Sequence, residues 1–463
     1  MPPLLHTFRA YDIRGIVPQE FSPEVVFRLG SSLGTYFDRH DVDEVVIGRD
    51  CRESSPEFAE LLHSAVRATG RKTVDIGMVP TPALYYAVKA GGYRGGVMIT
   101  ASHNPPQYNG FKIWCSDTTI FGQAIQDIYD IFALGVFSAG VGSTTRRDIM
   151  PDYEAAVCAH LRAHRPIKVV VDGGNGVGGE ALTRILTRMG AEVTPLYCTP
   201  DGTFPNHHPD PVIAENMRDL IAAVGERGAE LGVGLDGDGD RLCVVDAAGR
   251  MLAGDELLSI YAQELLRRQP GAMIFGDVKC SDRLFSAIQA QGGDGRMCVT
   301  GHSLAKAYMR ETGAPLGGEL SGHMFFNDGW IGVDDALYGA ARLVDILTRP
   351  DTPPLTALPG WPPAAVTPEV QLPCPEMVKA QVIRLAQEYY PPRYPSVTLD
   401  GVRVRFLHGW GLVRASNTQP VLILRFEADT DAHLAEIQEE MCNRVQAWLN
   451  ECTAAMPQDN HEH

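Results

Sequence analysis

One local pattern recurs along this chain and limits what it can fold into: a short apolar run ends in Gly and Asp, and a helical stripe follows. Val45-Val46-Ile47 leads into Gly48-Arg49-Asp50, Val169-Val170-Val171 into Asp172-Gly173, and Met273-Ile274-Phe275 into Gly276-Asp277. Such runs read as strands buried on both faces, and their alternation with helices predicts βαβ units on a mixed or parallel sheet. Ser22-Pro23-Glu24 predicts a capped helix start with Pro at the first helical position, since Val25, Val26, Leu29, Leu33, Tyr36 and Phe37 follow at helical spacing. Ser55-Pro56-Glu57 predicts a second cap, ahead of Phe58, Leu61, Leu62, Ala65 and Val66. The echoes lie about a hundred residues apart, a domain-sized spacing, so related α/β units are expected. Repeated proline between Pro350 and Pro363 fits neither helix nor central strand and marks a linker. Beyond it, Val402, Val404 and Phe406 alternate with Arg403 and Arg405, and Ala432 to Leu449 has helical spacing. A smaller domain with an antiparallel sheet and a helix against it is expected there.

At 463 residues the chain is too long for one core, and about 150 residues per domain suggests roughly three or four domains. A formal net charge of −17 argues against nucleic acid or an anionic membrane surface as partner, since either needs a basic face. It also means that an anionic substrate must be drawn in by a few well-placed cations. The ten cysteines show no CxxC spacing, the Met1-Pro2-Pro3 start lacks the apolar core of a signal peptide, and reduced, cytoplasmic thiols are expected. No apolar run reaches the roughly 18 residues of a membrane span. The terminal Gln458 to His463 reads as a frayed tail.

Two segments carry the chemistry. Thr100-Ala101-Ser102-His103-Asn104-Pro105 offers a hydroxyl in a polar turn, and Asp236-Gly237-Asp238-Gly239-Asp240-Arg241 offers carboxylates at alternate positions. A serine is a poor nucleophile alone, but once phosphorylated it is a phosphoryl donor whose charge a divalent cation can neutralise. An EF-hand loop wants Gly at position six and Glu at position twelve; counted from Asp236 those positions are Arg241 and Ala247, so that reading fails. What remains is a Gly-relieved turn after the strand-like Leu231 to Leu235, with hard oxygen ligands that suit Mg²⁺.

Other segments are open to more than one reading. Gly174-Asn175-Gly176-Val177-Gly178-Gly179 formally satisfies G-x-G-x-x-G, but no acid closes the strand after Glu192, so close helix packing explains these glycines better than a dinucleotide. Glu319 and Ser321 in Gly317 to His323 stand two apart, where in an extended loop both face one side and can bond adjacent sugar hydroxyls. Arg414-Ala415-Ser416-Asn417-Thr418-Gln419-Pro420 pairs a guanidinium with hydroxyls, which suits either phosphate or a capped turn. Tyr11, Arg14, Lys112, Lys279 and His302 lie in or beside loop signals and could touch phosphate or move protons.

Taken together, Phe8 to Gly15, Thr100 to Pro105 with Tyr108-Asn109-Gly110-Phe111-Lys112, Asp236 to Arg241, Gly318 to His323 and Arg414 to Pro420 resemble, in order, the motifs of the α-D-phosphohexomutase superfamily. The likeness is greatest to its bacterial phosphomannomutase/phosphoglucomutase branch. It implies three related mixed α/β domains and a C-terminal TATA-binding-protein-like α+β domain around a central cleft, with divisions at 1–148, 149–250, 251–362 and 363–463. By the resemblance Ser102 carries the exchangeable phosphoryl group, and Asp236, Asp238 and Asp240 hold Mg²⁺ with it. Arg241 positions that group, and His302 and Lys112 transfer protons, with His103 and His323 as neighbours. Glu319 and Ser321 read the sugar, Arg414, Ser416, Asn417 and Thr418 clamp the second phosphate, and Tyr11, Arg14 and Lys279 assist.

Leu320 stands where that branch often has Met, and Gln419 where it often has Thr. The implied reaction interconverts hexose 1- and 6-phosphates of mannose or glucose, with hexose 1,6-bisphosphate as intermediate and activator and sugar phosphates as the partners. The alternatives are a phosphoglucosamine mutase, a metal-dependent sugar phosphatase or a non-enzymatic sugar-phosphate sensor. The glucosamine form tends to carry Gln in the sugar loop and Ser-Gly-Thr-Glu-Pro in the phosphate loop, and neither is present here.

Overall fold

The computed structural model describes residues 4–416 and 419–454. The chain divides into two compact units. The first takes the residues up to Gly276 with Leu284–Arg296 and Gly301–Gly360; the second takes Asp277–Arg283, Met297–Thr300 and the residues from Trp361 on. The division falls inside the proline-rich segment.

Three successive sheets share one plan. In the first, strands Gly95–Ile99, Glu44–Arg49 and Lys72–Met78 run parallel, and Tyr108–Cys115 turns back antiparallel beside Gly95–Ile99. In the second, Leu231–Leu235 runs parallel to Lys168–Asp172, and Leu242–Asp246 turns back with Leu235 opposite Leu242. In the third, Leu316–Gly318 runs parallel to Met273–Asp277, and Met324–Phe326 turns back with Gly318 opposite Met324. Each sheet thus passes from parallel to antiparallel at one hairpin. The three hairpin loops are the segments that carry Ser102, the aspartates and Glu319.

Local chemistry explains the elements. Ser22 Oγ accepts from Val25 N–H at 3.4 Å, and Pro23 opens the helix Pro23–Arg39, as expected. The second expected cap differs: the helix Ser55–Ala68 begins at Ser55 itself, no side chain caps it, and Ser55 Oγ donates to Asp50 Oδ1 at 2.6 Å. A buried carboxylate needs that donor more than a partly exposed helix end does. The expected strand Val45 to Ile47 extends through Arg49. Phe58 and Phe111 stack 6.0 Å apart in the first core, with Phe21 edge-on to both.

In the second unit an antiparallel sheet orders Val421–Ala428, Gly409–Ala415 and Val402–Arg405 side by side, and the helix Asp431–Ala454 packs on it through Met441, Val445 and Trp448. Arg403 falls on the polar register of its strand but is buried. Its guanidinium lies 3.6 Å from the centre of the Trp410 ring and donates to the Val278 and Cys280 carbonyls, both at 2.6 Å. No described helix is long and apolar enough to cross a membrane.

A charge clamp joins two helices of the first unit. Glu264 on Gly254–Arg268 accepts from Arg268, from Arg342 at 3.0 Å and from Arg349 at 2.8 Å. Burial alone would raise its pKa, but the hydrogen bonds from Arg268 and Arg349 and the charge of Arg342 bring it from 4.5 down to about 2. A carboxyl depressed on folding stabilises fully above its unfolded value and loses that contribution as pH falls through the folded one. Glu264→Gln should therefore be less stable than the parent at pH 7, and the gap should narrow as pH falls from about 4.5 towards 2. Urea midpoints measured through that range would show it; a gap independent of pH would remove Glu264 as the acid-sensitive element.

Candidate active site

Ser102 follows the strand Gly95–Ile99 and sits at φ 51°, the left-handed region that a side chain tolerates only where its surroundings hold it. Its own N–H donates to Thr100 Oγ1 at 2.9 Å. The loop is held from outside by Arg52, which is fully buried. Arg52 donates to four main-chain carbonyls, Ser102 at 2.9 Å, Asn104 at 2.7 Å, Pro105 at 2.6 Å and Tyr108 at 3.0 Å, while Nε pairs with Asp50 at 3.1 Å. Ser102 Oγ then donates to Asp236 Oδ2 at 2.7 Å and lies 3.2 Å from His103 Nδ1.

This approach of two hairpin loops depends on glycine. A Cβ on Gly237 would lie 2.6 Å from the Ser102 carbonyl oxygen, and one on Gly176 would lie 2.6 Å from the Gly237 carbonyl oxygen. The G-x-G-x-x-G segment is therefore a close-packing device, as its lack of a following acid implied.

The aspartates occupy the turn between Leu231–Leu235 and Leu242–Asp246, all three fully buried. Asp236 Oδ1 accepts the N–H groups of Gly239, Asp240 and Arg241 at 3.0 to 3.2 Å. Asp238 Oδ2 accepts from Lys112 Nζ at 2.7 Å and Thr81 Oγ1 at 2.6 Å. Asp240 accepts from Lys112 at 2.5 Å through Oδ2, and its Oδ1 lies 3.2 Å from His323 Nε2. Burial, then the charges of Asp238 and Asp240, push the Asp236 carboxyl well above the usual range. Against its own burial, Lys112 and then His323 hold Asp240 well below it, and Asp238 and Asp240 in turn hold Lys112 charged.

The turn fits a hard divalent cation. One oxygen of each carboxylate lies within 4.8 Å of the others, and the buried Asp238 Oδ1 has no hydrogen-bond partner. Oxygen donors of this charge are those magnesium takes.

The third loop is a tight turn rather than an extended strand, with Glu319 N–H donating to the His323 carbonyl at 2.8 Å. It nevertheless gathers the expected side chains. His323 Nδ1 lies 2.8 Å and Ser321 Oγ 3.4 Å from Glu319 Oε2, and Gly301 N–H donates to Glu319 Oε1 at 2.5 Å. Burial works against a charged His323, but Asp240 and then Glu319 raise its pKa to about 9. Its ring stacks 5.7 Å from that of His302, the first residue of His302–Thr312, where burial and then Lys306 keep the imidazole neutral. Tyr11 meets His302 edge-on at 5.1 Å. The main chain at Arg241 forms an isolated antiparallel β-bridge with that at His323, and the Arg14 side chain donates to Asn104 Oδ1 and to Asp12 at 2.6 Å.

The remaining expected residues belong to the second unit. Lys279 Nζ donates to Glu369 at 2.8 Å, and its pKa is raised against burial by Glu369 and Asp277 while the Arg414 charge opposes it. Arg414 donates through Nε to Asp400 at 2.9 Å and keeps a buried Nη2 without a hydrogen-bond partner among the described residues. Ser416 Oγ accepts from Gln419 N–H at 3.2 Å. Asn417 and Thr418 lie outside the described residues. Sequence reasoning missed Arg52, Thr81, Lys306, Asp334, Glu369 and Asp400. The only local sign was Gly48-Arg49-Asp50 at a strand end, with Arg52 beside it.

A positioned serine against an acidic triad, beside a carboxylate–imidazole turn on serial α/β sheets, is an arrangement that suits an enzyme of phosphoryl transfer. The models for phosphoglucomutase/phosphomannomutase α/β/α domains I, II and III match residues 5–137, 152–249 and 253–360, and the C-terminal domain model matches 369–444. The chain belongs to the phosphoglucomutase/phosphomannomutase family. It is 44% identical to the phosphomannomutase/phosphoglucomutase of Pseudomonas aeruginosa over 95% of each chain. It is 43% identical to the phosphoglucomutase of Neisseria gonorrhoeae over 93% of this chain and 95% of the relative. The crystal structure of a phosphoglucomutase/phosphomannomutase family protein from Burkholderia thailandensis superposes with a TM-score of 0.90 at 42% identity, covering 96% of this chain and 97% of the other.

Arg52→Lys should expose the role of the loop anchor. A lysine cannot serve four carbonyls from one planar fork, and each buried carbonyl left without a donor costs about 1–3 kcal/mol. Thermal unfolding should shift down and turnover should fall at least tenfold, on the order of 1.4 kcal/mol in barrier. Unchanged turnover would show that the Ser102 loop keeps its shape without Arg52.

Proposed function

We infer that this chain interconverts hexose 1-phosphate and hexose 6-phosphate, of mannose or glucose, through a phosphoserine at Ser102 and a hexose 1,6-bisphosphate. The observation that carries the reading is the Ser102 hydroxyl, 2.7 Å from Asp236 in the buried acidic turn. Phospho-Ser102 gives its phosphoryl group to the free hydroxyl of a bound hexose phosphate. The P–Oγ bond breaks as the new P–O bond forms, and the hydroxyl proton leaves to a base. The bisphosphate turns over, and its other phosphoryl group returns to Ser102. Added hexose 1,6-bisphosphate would recharge dephosphorylated enzyme.

Asp236, Asp238 and Asp240, with an oxygen of the Ser102 phosphoryl group, would hold Mg²⁺. When bound, the ion supplies positive charge to the phosphoryl oxygens. Lys112 and Arg241 add fixed cations beside them, and His103 borders Ser102. Glu319, Ser321 and His323 bond the sugar hydroxyls; the 3- and 4-hydroxyls of a hexopyranose roughly exchange places on reversal, so one set serves both orientations. His302 and Lys112 stand nearest to proton exchange, with Tyr11 and Arg14 beside them. Arg414, Lys279, Ser416, Asn417 and Thr418 take the phosphate that is not transferred. The four functional segments fall in divisions at 1–148, 149–250, 251–362 and 363–463.

Isolated protein should carry phosphate on Ser102, seen by intact mass and peptide mapping. Ser102→Ala should lose both that label and nearly all isomerisation. Release of inorganic phosphate in place of isomer would instead make the protein a phosphatase.

Arg414→Lys keeps the charge and loses the fork. kcat/KM should drop by about 2 kcal/mol, roughly thirtyfold, to a similar degree with glucose 1-phosphate and mannose 1-phosphate, because phosphate and not C2 is held. A loss confined to one sugar would make Arg414 a reader of the hexose.

A further inference from the structure

Beneath His302 lies a buried pair that the reaction outlined above does not use. Lys306, one helical turn on, and Asp334 on the strand Val333–Asp334 are both almost fully buried. Lys306 Nζ donates to Asp334 Oδ1 at 2.6 Å, sits 4.7 Å from the centre of the Tyr85 ring, and lies 2.9 Å from His302 Nδ1. Burial lowers the Lys306 pKa and the Asp334 charge opposes it; the ammonium of that 2.6 Å ion pair, at hydrogen-bond distance from a neutral ring nitrogen, can only donate to it. The rival partner for Nδ1 is Asp334 Oδ2, which would accept a proton from the ring, but it stands 3.5 Å away. Among the described residues no hydrogen bond to Nε2, the other ring nitrogen, is seen.

The geometry points to Lys306 as a positioning residue that fixes the tautomer of His302: with Nδ1 accepting from Lys306, and Lys306 anchored by Asp334, the ring proton resides on Nε2. Which nitrogen carries the proton is set by the bond that the other one makes. His302 therefore enters the reaction as a hydrogen-bond or proton donor and not as the resting base. The tautomer stands on the local contacts alone; its use on a sugar phosphate rests on the mutase reading.

The test uses full-length enzyme with ¹⁵N-labelled histidine, the His302 signals being assigned by their loss in His302→Gln. At neutral pH the ring should show an unprotonated Nδ1 and a protonated Nε2. Lys306→Met removes the donor and should let the proton move to Nδ1, which Asp334 can then accept. kcat should fall at least tenfold while KM changes less than about threefold, because binding groups stay in place and proton handling is lost. Asp334→Asn, which leaves Lys306 a carbonyl to bond, should keep the Nε2 proton. A protonated Nδ1 in the parent enzyme overturns the inference, as does a Lys306→Met variant with unchanged ring signals or an Asp334→Asn variant that switches tautomer. Failure of the mutase reading would appear separately, as absent isomerisation by an enzyme whose His302 still has its proton on Nε2.

Discussion

Three carboxylates buried in one six-residue turn are the constraint around which the first unit is arranged. Placed away from water without compensation, such a group would not stay charged. The fold answers each carboxylate differently. Asp236 draws three main-chain N–H groups of its own turn, Asp238 draws Lys112 from the first sheet and Thr81 from the start of the helix Thr81–Gly91, and Asp240 draws Lys112 and lies against His323 of the third loop. Elements of the first and third sheets thus hold Asp240 charged against its burial, while burial and then the charges of Asp238 and Asp240 push the Asp236 carboxyl well above the usual range. The same convergence brings the Ser102 hydroxyl within reach, so the electrostatic requirement and the chemical one are met by the same packing.

The neighbouring histidines show how finely the surroundings separate like groups. His302 and His323 have rings 5.7 Å apart, yet burial and then Lys306 hold the first neutral, while the second, between two carboxylates, is held charged against its burial. Groups whose surroundings push them in opposite senses can play opposite roles at one pH.

Much of this was legible in the chain. The apolar runs at Val45, Val169 and Met273 became strands because a short uninterrupted apolar run closed by Gly and Asp has few other places to go. The Ser102 and Asp236 segments stood out because their residue types are costly to place together without a use. What could not be read is whatever gains meaning only through distance in space. Arg52 looks like any surface arginine until four carbonyls close over it, and Lys306 looks like a solvated helix position until Asp334 arrives from 28 residues away. The cap at Ser55 failed for the same reason, since Asp50 competes for its hydroxyl. Arg403 was misplaced by alternation because an indole face and two carbonyls took in its charge.

The contact between the Ser102 carbonyl and Gly237, backed by Gly176, has a consequence for how this protein can vary. Its closest approach is made by main chain against main chain, so it does not depend on which side chains border it. Side chains bordering the two loops can change while the distance from the serine loop to the aspartate turn is preserved. At this contact the residues least free to change are therefore ones with no functional group at all.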